Sequence, residues 1–122
     1  CRARDACLDF VRRELAAGRG VKGCDADDAC RAVVVDAGYG EHFVHRTGHS
    51  IGEQVHWTGA NIDNLETRDE RELVPGCCFS IEPGIYLDGE MAVRTEIDAF
   101  IRANGEVAVV GDVQRSLVLI DV

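Results

Sequence analysis

The sequence predicts an α+β fold in which two helices precede an antiparallel sheet. Apolar residues recur at helical spacing only near the N-terminus, while hairpin dipeptides between short apolar runs fill the C-terminal third. A length of 122 residues, 46% of them hydrophobic, supports a single core.

Residues 2 to 17 read as the first helix, because Ala3, Cys7, Phe10, Val11 and Leu15 fall three and four apart and form one apolar face. Gly18, Gly20 and Gly23 end it. Asp25 reads as the N-cap of the second helix, with Asp28 at N3 in a variant of the capping box. This helix runs to about Ala37, and Gly38 fits its C′ position. Phe43-Val44-His45 reads as a short strand. Residues 57 to 72, dense in charge from Asp63 to Glu72, read as a long exposed loop. Pro75-Gly76 is a turn, and Cys77 to Glu82 is a strand stopped by Pro83-Gly84. Ile85-Tyr86-Leu87 continues it, Asp88-Gly89 signals a hairpin, and Met91 to Ile101 reads as one long returning strand. Asn104-Gly105 signals a second hairpin, from which Val107 to Val110 pairs back.

Charge narrows the function. Lys plus Arg number 13 and Asp plus Glu 22, for a net charge of −9. Such a surface repels phosphate backbones and anionic membranes, so neither nucleic acid nor a membrane is an expected partner. The longest apolar runs, 107–110 and 117–120, have four residues, against the roughly 20 of a membrane span. No signal peptide is visible. The six cysteines, Cys1, Cys7, Cys24, Cys30, Cys77 and Cys78, contain no C-x-x-C pair. They read as reduced, mostly buried thiols of a cytoplasmic protein. A chain opening on Cys1 reads as a processed product or part of something longer.

The chemistry concentrates in the middle and in the strands after it. All four histidines, His42, His45, His49 and His56, lie within 15 residues, among Gly48, Gly52, Arg46, Thr47 and Ser50. A cluster between glycines suits metal ligation or acid–base work. Glu82 closes the apolar run from Cys77, and Glu96 lies inside the strand from Val93, where alternation puts Arg94, Glu96 and Asp98 on one face. A carboxylate in a core must be paired, protonated or metal-bound. The alternatives are an ion pair of Glu96 with Arg94 and a turn cap at Glu82. One imidazole with several carboxylates suits Mn²⁺, Co²⁺, Fe²⁺ or Zn²⁺ without selecting among them.

The segments H-R-T-G-H-S-I-G (45–52), V-H (55–56), P-G-C-C-F-S-I-E-P-G-I-Y (75–86) and V-R-T-E (93–96) resemble the second half of a pita-bread metallopeptidase, a family of Xaa-Pro aminopeptidases, proline dipeptidases and methionine aminopeptidases. The resemblance extends over residues 2 to 112 and is nearer to the Xaa-Pro branch. It implies that the whole chain, 1–122, is the C-terminal part of one catalytic domain. It further implies that His49, Glu82 and Glu96 are metal ligands, with Glu96 bridging two ions and Glu82 handling the proton of the attacking water. His45 and His56 would line the substrate pocket and steady the tetrahedral intermediate, and Arg94 would stand beside the bridging carboxylate. His42 has no matching role. The implied activity is hydrolysis of an N-terminal peptide bond, Xaa-Pro by preference, with a water activated by two divalent ions. The substrate is then a peptide, and relatives of this kind are commonly homodimers.

The resemblance also implies what is missing. The family site has five ligands, and its two aspartates come from strands before this segment; Asp25, Asp27 and Asp28 belong instead to a helix start. Three ligands hold one ion weakly or none, so the chain alone is expected to be inactive or very weak. The family's upstream pocket histidine is absent too, and Ile97 and Trp57 stand where acidic residues are common. Two other classes compete: a non-catalytic peptide- or protein-binding module of the same fold, and a metal-free relative resembling creatinase. Both would have lost metal ligands, so His49, Glu82 and Glu96 together disfavour them.

Overall fold

The computed structural model describes residues 1–117. Two helices, α1 (Arg2–Ala16) and α2 (Gly23–Asp36), are followed by a 3-10 turn (Gly40–His42) and six strands. The strands are β1 (Ser50–Ile51), β2 (Cys78–Ile81), β3 (Gly84–Leu87), β4 (Met91–Arg94), β5 (Ile97–Ile101) and β6 (Val107–Val110). One antiparallel sheet has the order β1-β2-β5-β6, and β3-β4 form a separate hairpin. The expected α+β order is therefore present. The apolar run at 117–120 lies outside the described residues beyond Leu117.

The buried stripe of α1 is Arg4, Cys7, Leu8 and Val11, a three–four spacing turned slightly from the expected face. Phe10, Ala3 and Leu15 pack at its margin. Arg4 tolerates burial because its guanidinium donates twice to Asp5 Oδ1 (2.8 and 2.9 Å) and once to the Gln114 carbonyl. Cys7, Val11, Cys30 and Val34 of the helices share one buried cluster with Phe79, Ile81, Ala99 and Ile101 of the sheet. Each large side chain buried here contributes roughly 1.5–3 kcal/mol by leaving water.

Helix α2 begins two residues before Asp25, which lies in its first turn rather than at the cap. The amides of Gly23 and Cys24 are satisfied by the carbonyls of Arg71 and Asp69, so the backbone of the 57–72 segment does the capping. That segment forms no helix or strand and is largely exposed, as its charge suggests, but part of it turns inward. Ala60, Ile62, Asp63 and Asp69 are buried, as is Leu73 just after the segment. Asp63 accepts the amides of Leu65, Glu66 and Thr67, and Asp69 accepts those of Asn61 and Arg71. Gly38 (φ 84°) ends α2 in the left-handed conformation, as expected.

Two strand expectations change. Phe43-Val44-His45 forms no strand, because the Arg31 guanidinium takes up the carbonyls of Phe43 and His45 (both 2.9 Å). The long strand from Met91 to Ile101 divides into β4 and β5. Opposite the division stand Glu82 and Pro83, and a proline supplies no amide to the ladder. Gly89 and Gly105 take positive φ in the two hairpin turns that the sequence signals. Among the described residues, no helix is long and apolar enough to cross a membrane.

All six cysteines are free, with Cys7, Cys24 and Cys30 buried and Cys1 exposed. Burial pushes the Cys30 thiol up from its ordinary 9.0 to about 12, and the Cys7 thiol well above its ordinary value. The folded Cys30 thiol thus keeps its proton where an unfolded one loses it. Its contribution to stability is complete below pH 9.0 and is lost as pH rises toward about 12. The denaturant midpoint is expected to fall across that window. In native protein, iodoacetamide is expected to modify Cys1 while sparing Cys7 and Cys30, as read by peptide mass spectrometry.

Candidate active site

The division of the hairpin builds the site. Ile81 pairs with Ile97, and Gly84 pairs with Arg94. The same register places Glu82 directly across from Glu96. Like charges held opposite each other on an antiparallel pair repel, and a cation between them relieves the repulsion. Arg94 supplies one: its guanidinium lies 3.7 Å from Glu82 Oε2 and 3.8 Å from Glu96 Oε2. Glu82 is nearly buried, its side chain 13% exposed. Glu96, expected inside a core, has a side chain 46% exposed, because it stands where the strand leaves the sheet.

His49 comes to Glu82 from the other side. The segment before β1 lies over β2: Glu82 N–H donates to the Thr47 carbonyl (2.7 Å), and Ser80 N–H to the His49 carbonyl (2.9 Å). Gly48 permits this crossing, since a Cβ there would lie 1.9 Å from the Ser80 carbonyl oxygen. His49 Nδ1 donates to the Ser50 carbonyl (3.1 Å), so in the neutral imidazole Nε2 is the acceptor nitrogen. That nitrogen faces Glu82 Oε1 at 3.2 Å. An imidazole nitrogen and a carboxylate oxygen this close share either a proton or, with the neutral ring, a metal cation. The pair therefore suits a divalent metal, although among the described residues no three His, Cys, Asp or Glu side chains converge on one point.

The other histidines divide into two groups. The His56 ring meets that of His49 edge-on, with centroids 4.2 Å apart, and is exposed. His45 makes no contact with His49 or Glu82 of this kind. It donates from Nδ1 to the Arg46 carbonyl (2.7 Å) and accepts at Nε2 from the Tyr86 hydroxyl (2.9 Å), on β3. His42 stands apart, its ring nearest Tyr39. Behind His45, the buried Asp27 carboxylate holds the Arg31 guanidinium with both oxygens (2.9 and 3.0 Å) and accepts the Thr47 amide (2.9 Å). Arg31 also lies over the Phe43 ring at 4.1 Å.

Sequence reasoning missed Ser80, Tyr86, Asp27 and Arg31. Ser80 and Tyr86 lie within the quoted S-I-E-P-G-I-Y block, and strand alternation already puts Ser80 on the face of Glu82. The signal for Asp27 and Arg31 was their i, i+4 spacing on one helix.

The chain is similar to known proteins in sequence and fold. The model of metallopeptidase family M24 matches residues 2–103. The chain belongs to metallopeptidase family M24. An Xaa-Pro dipeptidase of Lactobacillus delbrueckii subsp. lactis is 43% identical over 81 residues, 66% of this chain and 21% of that protein. The crystal structure of a dipeptidase from Pyrococcus horikoshii OT3 superposes with a TM-score of 0.78 and 36% identity, covering 95% of this chain and 30% of that one. An X-Pro aminopeptidase from Thermotoga maritima MSB8 gives 0.77 and 31%, covering 94% and 30%. The M24 chain thus spans between a fifth and a third of these relatives. Its two helices and antiparallel sheet are part of a pita-bread domain.

Gly48→Ala is expected to destabilise the M24 chain by about 3 kcal/mol in urea unfolding, through the clash with the Ser80 carbonyl. An alanine tolerated within about 0.5 kcal/mol would show that the crossing is not tight.

Proposed function

We propose that this chain is the C-terminal part of the catalytic domain of a metal-dependent exopeptidase that hydrolyses Xaa-Pro bonds at peptide N-termini. The observation that carries this reading is the pair of opposed carboxylates, Glu82 and Glu96, with His49 Nε2 aimed at the first of them. An Xaa-Pro dipeptidase and an X-Pro aminopeptidase among the relatives support the specificity. Six free thiols support a cytoplasmic location. A homodimer is part of the same proposal.

In this reading His49, Glu82 and Glu96 would hold a pair of divalent ions together with two aspartates from outside the segment. Mn²⁺, Co²⁺, Fe²⁺ and Zn²⁺ all suit these donors. When bound, such ions lower the pKa of water toward about 7 and polarise a carbonyl. Glu82 takes the proton of the attacking water and passes it to the leaving amine. Arg94 places its positive charge beside both carboxylates. His56, exposed beside His49, reaches the scissile carbonyl oxygen and steadies the charge that develops on it. His45, fixed by Tyr86, lines the substrate pocket. With three of five ligands, the chain alone is expected to be inactive or very weak.

Purified native protein containing this segment is expected to hydrolyse Xaa-Pro dipeptides with Mn²⁺ and to lose that activity to a chelator. Glu82→Gln is expected to lower kcat by about a hundredfold or more. Activity indifferent to both chelator and Glu82→Gln would overturn the reading in favour of metal-free hydrolysis, and no activity with any of the four metals would overturn it in favour of a non-catalytic binding module.

A further inference from the structure

Ser80 is completely buried in β2, and its hydroxyl makes two bonds. Its oxygen accepts the His49 amide at 3.0 Å. Its proton goes to Glu82 Oε1 at 2.9 Å. That same carboxylate oxygen faces His49 Nε2 at 3.2 Å. The three contacts close a ring: His49 backbone, Ser80 hydroxyl, Glu82 carboxylate, His49 imidazole. Each member limits the others. A serine in a strand has few rotamers, and here both the donor and an acceptor site of its hydroxyl are committed. The Ser80 amide adds a fourth tie, to the His49 carbonyl.

We propose that Ser80 is a positioning residue: its hydroxyl sets the rotamer of Glu82 against the backbone that carries His49, so that imidazole and carboxylate reach a metal in register. The proposal rests on the metallopeptidase reading of those two residues. Glu82 has three rotatable bonds, and among the described residues its other oxygen is held only by the half-exposed Arg94 at 3.7 Å. Without Ser80, the carboxylate keeps that loose contact and the imidazole alone. Partners that orient a metal ligand in this way commonly change metal affinity by 10–100-fold. Ser80 touches neither substrate nor the reacting atoms in this account.

The test uses the native protein containing this segment, in wild-type, Ser80→Ala and Ser80→Thr forms. Co²⁺ affinity, from the visible absorption of the bound ion, is expected to fall about tenfold or more in Ser80→Ala and to return in Ser80→Thr. Side-chain coupling constants from NMR are expected to show one Glu82 rotamer in the wild type and averaging in Ser80→Ala. A merely structural serine would shift stability and leave the Glu82 rotamer fixed. Should Ser80→Ala not fold, the wild type decides: a slowly exchanging Ser80 hydroxyl proton with a nuclear Overhauser contact to Glu82 supports the proposal, and its absence overturns it. Equal Co²⁺ affinity and a fixed rotamer in folded Ser80→Ala also overturn it. A wild type with an ordered Glu82 that takes up no Co²⁺ would sink the metallopeptidase reading and leave the positioning role standing.

Discussion

Glu82 and Glu96 face each other across one hairpin, and the rest of the site answers that juxtaposition. Two carboxylates at cross-strand distance repel, and the pairing survives only with positive charge between or beside them. Arg94, two residues before Glu96, gives part of that charge. Pro83 ends the ladder next to Glu82, and its carbonyl still accepts the Thr95 amide at 3.2 Å. The strands therefore separate without losing register. The result is a gap in a sheet, lined by acid on both sides and open enough that Glu96 is half-exposed.

The helices and the His segment serve this gap from behind. Gly48 allows the chain to cross β2 at backbone contact, which delivers His49 onto Glu82. Asp27 and Arg31 fix the carbonyls of Phe43 and His45 and the amide of Thr47, so the whole run from 43 to 49 has one path. Asp27 is fully buried, and its charge is matched by a bidentate guanidinium plus a backbone donor, as a buried carboxylate requires. The site is thus carried by helix, crossing segment and hairpin together.

Much of this was legible in the residues. The apolar spacing of α1, the Gly38 end of α2, and the Asp88-Gly89 and Asn104-Gly105 turns are local signals, and the structure keeps them. The opposition of Glu82 and Glu96 was legible too, since a hairpin centred on Gly89 mirrors residue 82 onto residue 96. What did not show was decided by distant partners. Residues 43–45 have strand composition, yet Arg31 claims their carbonyls. Residues 57–72 look exposed by charge, yet Asp63 and Asp69 turn inward to bind amides. Glu96 reads as buried from its apolar flanks, and the break opposite Pro83 brings it to the surface.

The most direct test is an anomalous-difference map from crystals of the native protein grown with Mn²⁺ and recorded at the manganese edge. The account predicts a peak in contact with both His49 Nε2 and the Glu82 carboxylate, and a second that shares Glu96 with it. Well-ordered His49 and Glu82 side chains with no peak between them would contradict it.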